Sequence, residues 1–181
     1  MPDATKSSRR LIGALGVGAL VSVALGVYGR THDPTFEAAM TFGFSTQLQM
    51  KAWLAVTATA LACVQLGTAL RLYGRIGSGP PSRAISITHR ASGLLAVLVT
   101  LPVAYNCLWS LGFQTYSSRV LLHSVLGCLF YGIFVTKMLA LQIKGVPGWV
   151  IPFVGGATFA VLIGVVASSA GWYFAQNGPT Y

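Results

Sequence analysis

Residues 120–141 read VLLHSVLGCLFYGIFVTKMLAL, and this stretch decides the fold. Lys137 is its one lysine, and it holds no arginine or carboxylate. The run matches the roughly 20 mostly apolar residues that a helix needs to cross a hydrocarbon core about 30 Å thick. Four further runs share its character: Leu11–Gly29, Ala52–Leu70, Ala91–Gly112 and the less sharply bounded Trp149–Phe174. Five such runs cannot close a barrel, and lipid tolerates no open strand edge, so each reads as a helix. The breaks agree. Thr31-His32-Asp33-Pro34, Gly77-Ser78-Gly79-Pro80-Pro81 and Gly145-Val146-Pro147-Gly148 are all turn signals. Pro102 and Pro152 fall inside runs, where membrane helices kink rather than end. The expectation is one all-α integral membrane domain over residues 1–181, with five transmembrane helices.

Composition points the same way. Of the 181 residues, 54% are hydrophobic and 8% are charged, with a mean hydropathy of +0.69. A soluble domain carries about 25% charged residues to solvate its surface. A soluble enzyme, a disordered tail and a secreted scaffold are therefore excluded. Cys63, Cys107 and Cys128 lie inside apolar runs at no metal-ligand spacing, and read as packing residues.

The charge is lopsided, with 12 Lys+Arg against 3 Asp+Glu, a formal net charge of +9. Its placement relative to the runs points to the lipid bilayer, not nucleic acid, as the partner. Lys6, Arg9 and Arg10 precede the first run. Arg71, Arg75, Arg83 and Arg90 lie between or beside the second and third, and Lys137 and Lys144 flank the end of the fourth. The opposite side carries only Arg30, Lys51 and Arg119. Cytoplasmic loops hold the excess of basic residues. The N-terminus is thus expected in the cytoplasm and the C-terminus outside, in a multi-pass protein of the cell membrane, a bacterial cytoplasmic membrane. A charged start before an apolar stretch is also the layout of a signal peptide. Leu11–Gly29 is long for one and no small-x-small site follows it, so the first span is expected to be retained. Between runs one and two, His32–Met50 sets Phe36, Met40, Phe42, Phe44 and Met50 among polar residues. That pattern suits an interfacial segment or a lid over a buried site, and the residues do not choose between them.

Polar groups within a span are expensive and mark candidate functional positions. His89 opens run three and His123 lies one turn into run four; the third histidine, His32, is in the loop. Both membrane histidines read H-x-x-x-G, as His89 to Gly93 and His123 to Gly127. Four residues is about one helical turn, so each glycine lies beside its histidine on one face. Gly93 is followed on that face by Ala96 and Thr100, and Gly127 by Phe130 and Phe134. A histidine followed by a residue without a side chain suits a flat ligand against the backbone. Haem is the obvious one, since neutral imidazole is an axial ligand for its iron. Glycines in membrane helices also serve simply to let backbones approach, as Gly18-x-x-x-Ser22-x-x-x-Gly26 of run one does on this reading.

Leu122-His123-Ser124-x-x-Gly127 with Phe130 and Phe134, and His89-x-x-x-Gly93 before it, resemble the histidine helices of the cytochrome b561 group of membrane electron carriers. The 34-residue interval between the two histidines is similar as well. The resemblance covers mainly residues 85–141. It implies a four-helix core made of spans two to five, with span one an addition, and b-type haem on His89 and His123. The whole chain is also similar to small uncharacterised actinobacterial membrane proteins, associated with Rieske iron–sulfur partners.

This sequence departs from the family at the second ligands. Runs three and four are antiparallel and each histidine lies near the start of its run. At 1.5 Å per residue the two differ in depth by roughly 20–25 Å and cannot share one iron. The family completes two sites with histidines from the other core helices. Here the matching regions around Ala55 and Leu162 have none. Two bis-histidine sites are excluded, and any haem b needs another second ligand or none. Near His123 the candidates are Met50, Met40 and His32; near His89 they are Met138 and Lys137. The His123 site is expected to be the better one, with Arg119 and Tyr116 meeting the propionates.

The leading expectation is an electron carrier between a quinol or soluble donor and a partner redox protein, Rieske-type or other, with haem b and quinone as ligands. It need not be an enzyme by itself. The alternative is a haem-free anchor or assembly subunit of a membrane complex. A small-molecule transporter fits less well. The spans offer Thr57, Thr59, Gln65, Asn106 and Thr136 but no carboxylate, so a carboxylate proton relay is excluded.

Overall fold

The computed structural model describes residues 2–179 and is all-helical over them. Six α-helices follow in order: α1 (Pro2–Thr31), α2 (Gln47–Leu72), α3 (Arg83–Asn106), α4 (Ser118–Ala140), α5 (Val150–Val166) and α6 (Trp172–Asn177). A π-turn, Cys107–Leu111, extends α3, and a second, Ala167–Gly171, joins α5 to α6. Five continuous helices are long and apolar enough to cross a bilayer: Thr5–Thr31, Gln47–Leu72, Arg83–Leu111, Ser118–Ala140 and Val150–Asn177. This is a membrane protein. Tyr181, at which the C-terminal end of the topology is to be read, lies outside the described residues.

Helices α1 to α4 begin earlier than their apolar runs do. α2 starts at Gln47 and α3 at Arg83, because capping and not hydropathy sets the first turn. Thr46 and Gln49 form a capping box. The Thr46 hydroxyl accepts the Gln49 N–H at 3.2 Å, and the Gln49 side chain accepts the Thr46 N–H at 3.1 Å. Ser82 and Ser117 cap α3 and α4 by accepting the N–H groups of Ile85 and Val120. α3 runs through Pro102 without ending, and Pro152 sits in the first turn of α5, where a missing N–H costs nothing.

We call the side holding the N-terminus proximal and the other distal. The starts of α2 and α4 and the ends of α1, α3 and α6 are then distal. α2 packs along α3 and α1 along α4, while α5 joins the two pairs through α4 and α2. The exposed surface is apolar, with Leu94, Leu98, Leu101 and Tyr105 outward on α3. Much of the packed interior is small and polar, including Ser92, Asn106, Ser110, Thr136 and Ser168. This inversion is what lipid as solvent produces.

The α1–α4 contact is made backbone to backbone. A Cβ on Gly18 would collide with Gly132 O and the Thr136 side chain, and one on Gly132 with Gly18 O and Ser22 Oγ. The small-residue stripe of the first span is therefore a helix-packing face, as its spacing implied. Ala62, Phe130 and Leu162 form the apolar core where α2, α4 and α5 meet. Tyr131 ties α4 to α3 by donating its hydroxyl to Thr100 O at 3.1 Å and Thr100 Oγ1 at 3.0 Å.

Candidate functional site

His123 leaves α4 toward the distal end of α5. Its Nδ1 lies 3.3 Å from the carbonyl of Val165 and 3.3 Å from Ser168 Oγ. A carbonyl only accepts, so Nδ1 carries the proton and Nε2 keeps its lone pair. The carbonyl is available because α5 widens into a π-turn at Ala167–Gly171, which interrupts the regular ladder. The Ser168 and Ser169 hydroxyls also return to Val165 O, at 3.0 and 2.7 Å. An imidazole fixed by its Nδ1–H to a carbonyl, with Nε2 left basic, is the usual arrangement of a metal-ligating histidine.

Arg119, one turn before His123, is anchored to the same π-turn. Its Nη1 donates to Ser168 O at 2.7 Å, and its guanidinium lies 4.1 Å from the ring centroid of Trp172. One turn beyond His123, Gly127 has no atom within 4 Å of the position a Cβ would take. Phe130, next on that face, is buried against Ala62 and Leu162. Phe134 and Lys137 are half-buried. His123 and Phe130 thus meet neighbouring helices, while the position a Gly127 Cβ would take is uncovered.

The proximal histidine has a different setting. His89 Nδ1 lies 2.9 Å from Thr68 Oγ1, which also lies 2.7 Å from Val64 O. Unlike the carbonyl at His123, a hydroxyl can donate or accept, so it does not fix the tautomer of His89. The space beside Gly93, however, is filled. The Gln65 amide from α2 occupies it, bonded to His89 O and, at 3.1 Å, to Ser92 Oγ. The two histidines stand at opposite ends of the bundle.

The expected second ligands fall in separate places. Met50 is completely enclosed in the first turn of α2. His32 is stacked between Tyr28 and Trp109, with centroids 5.1 and 4.6 Å away, on the side made by α1 and the end of α3. Tyr116 and Met138 are exposed. The loop after α1 is pinned to the α3 π-turn. Ser110 Oγ donates to Glu37 O at 2.5 Å, and Ala39 N–H donates to Asn106 Oδ1 at 3.2 Å.

The donor set at His123 fits one axial ligand of a haem iron, having a free basic nitrogen, a carbonyl-held ring and space one turn away. That at His89 does not, because Gln65 stands where the flat group would lie.

Ser168 and Thr68 carry no signal of their own in the sequence, and Gln65 stands out there only as a polar residue of the spans.

A family model matches residues 11–181, from the first apolar run onward. The chain belongs to DUF6529, a family of unknown function. No curated protein and no solved structure matches this DUF6529 chain.

Proposed function

We propose that this DUF6529 protein is an electron carrier of a bacterial cytoplasmic membrane, a reduced relative of the cytochrome b561 group with one b-type haem on His123. It takes electrons from a quinol or soluble donor and passes them to a partner redox protein, Rieske-type or other. On this reading the N-terminus is cytoplasmic, the C-terminus is outside, and α2–α5 form the cofactor-bearing core with α1 laid against α4. The observation that carries it is the His123 ring, held through Nδ1 by Val165 O and Ser168 Oγ, one turn above the open place at Gly127.

Each residue then has a task. His123 Nε2 binds the iron, and Val165 and Ser168 fix the ring plane and tautomer. Gly127 leaves room for the macrocycle, and Phe130 closes the core below it against water. A haem bound there supplies one-electron chemistry at a potential set by axial ligation, burial and hydrogen bonding to the ligand.

The test is an optical spectrum of the purified protein, oxidised and dithionite-reduced. A Soret band that sharpens and shifts on reduction is expected. Its absence after haem supplementation would end the reading. One observation favours a second reading, a non-redox anchor or assembly subunit. Gln65 and Thr68 give His89 a complete structural role in joining α2 to α3. A colourless, well-folded protein would promote it.

A further inference from the structure

Near the proximal end of the bundle, α1 is tied to α4 and the turn after it at two levels. Ser7, buried in the second turn of α1, donates its hydroxyl to Gly145 O at 3.1 Å. Two turns deeper, Thr136 Oγ1 lies 3.4 Å from Ala14 O. Alongside these ties runs a groove of about 300 Å³, lined by Arg10, Ala14, Leu139, Gln142 and Ile143. In both segments the lining residues fall within the stretch that the two ties bracket.

The groove grades from apolar to charged. Ala14, Leu139 and Ile143 are apolar walls, while the exposed Arg10 and Gln142 bring a guanidinium and an amide. Gln142 Nε2 gives one N–H to Met138 O at 3.3 Å, and a primary amide has two. Arg10 and Arg30 stand 20 residues apart on α1. At 1.5 Å per residue that is about 30 Å, the thickness of a hydrocarbon core, so Arg10 sits at headgroup depth. Ala14, one turn deeper, is level with the first acyl carbons. Residues 1–14 and 139–148 also carry Lys6, Arg9 and Lys144, against the single carboxylate of Asp3.

We propose that this groove binds one anionic phospholipid, its phosphate on Arg10 and Gln142 and an acyl chain along Ala14, Leu139 and Ile143. A guanidinium donates two parallel N–H groups to a phosphate, and the amide adds a third donor. The apolar walls give a lipid a contact that a free phosphate cannot use. A zwitterionic headgroup brings its own cation toward a rim that is already basic, so charge selects the anionic lipid. The bound lipid spans both helices and reinforces the α1–α4 contact. The groove lies at the opposite end of the bundle from His123, and the site does not depend on the haem reading.

The experiment is native mass spectrometry of the full chain in neutral detergent, titrated with phosphatidylglycerol or phosphatidylcholine. In about 0.3 M ammonium acetate the Debye length is about 6 Å, so charges that do not touch the phosphate are screened. Wild type is expected to bind one phosphatidylglycerol about fivefold more tightly than phosphatidylcholine. Arg10→Gln should weaken phosphatidylglycerol binding about fivefold. Arg9→Gln removes the same charge one residue away, outside the groove lining, and should change it by less than about twofold. Both positions are exposed, so neither variant disturbs the packed interior. Equal affinity for the two lipids, or a loss in Arg10→Gln no larger than in Arg9→Gln, overturns the proposal. Displacement of the lipid by millimolar inorganic phosphate overturns it too, since that assigns a bare anion site.

Discussion

Gln65 of α2 lies directly over Gly93 of α3, and a Cβ on Gly93 would stand 2.9 Å from its amide nitrogen. That amide also holds His89 O and Ser92 Oγ, so displacing it disturbs three groups at once. Gly93→Ala should therefore destabilise by about 1–3 kcal/mol, as overpacking does. In a Gln65→Ala background the same change should cost under about 0.5 kcal/mol, because the colliding group is gone. Unfolding of the four proteins of this double-mutant cycle in detergent checks it. Additive effects would mean that the two side chains do not meet.

The α1–α4 contact can be trapped chemically. A Cβ on Gly26 would lie 3.9 Å from Cys128 Sγ, in van der Waals contact, so a cysteine at position 26 meets the Cys128 thiol across the α1–α4 contact. Gly26→Cys, in a background with Cys63 and Cys107 changed to Ser, should cross-link within the chain under copper–phenanthroline. The product runs faster on a non-reducing gel. If both thiols accept maleimide but never bridge, α1 does not lie along α4.

Topology is checked with reporters. A fusion within Gly77–Pro81 should read as cytoplasmic and one after Tyr181 as external. An even number of spans would place both on one side, whatever the function. The basic clusters at Lys6–Arg10, Arg71–Arg90 and Lys137–Lys144 set this sign.

For the haem reading, His123→Ala should remove most of the b-type absorbance and His89→Ala little or none, with helicity by circular dichroism unchanged in both. Gly127→Ala should be tolerated, since its Cβ meets nothing within 4 Å. Gly127→Leu should lower haem content by filling the place beside His123 without unfolding the protein. Equal loss from the two histidine variants would contradict a single distal site.

How far the residues alone disclosed this arrangement differs from element to element. The five helices and their breaks were legible because hydrophobic length and Gly/Pro punctuation are local properties. The helix starts were not. Residues such as Arg83, His89 and Arg90 belong to α3 but lie outside its apolar window, so hydropathy marks only the lipid-depth part. The one-face spacing of His123, Gly127 and Phe130 was legible from helical periodicity, and of the three His123 and Phe130 meet neighbouring helices. The difference between Gly127 and Gly93 was not. One faces open space and the other Gln65, and this depends on α3 lying against α2, which no local pattern encodes. The burial of Lys51 was hidden for the same reason, since it depends on residues more than a hundred positions later.

That last separation bears on how the protein is made. The first turn of α2 is packed against the Ala167–Asn177 segment, which leaves the ribosome long after Lys51 has entered the membrane. Until the fifth span arrives, Met50 and Lys51 lack their final cover. A chain that lacks the fifth span therefore leaves the start of α2 without the packing that Phe174 and its neighbours give it.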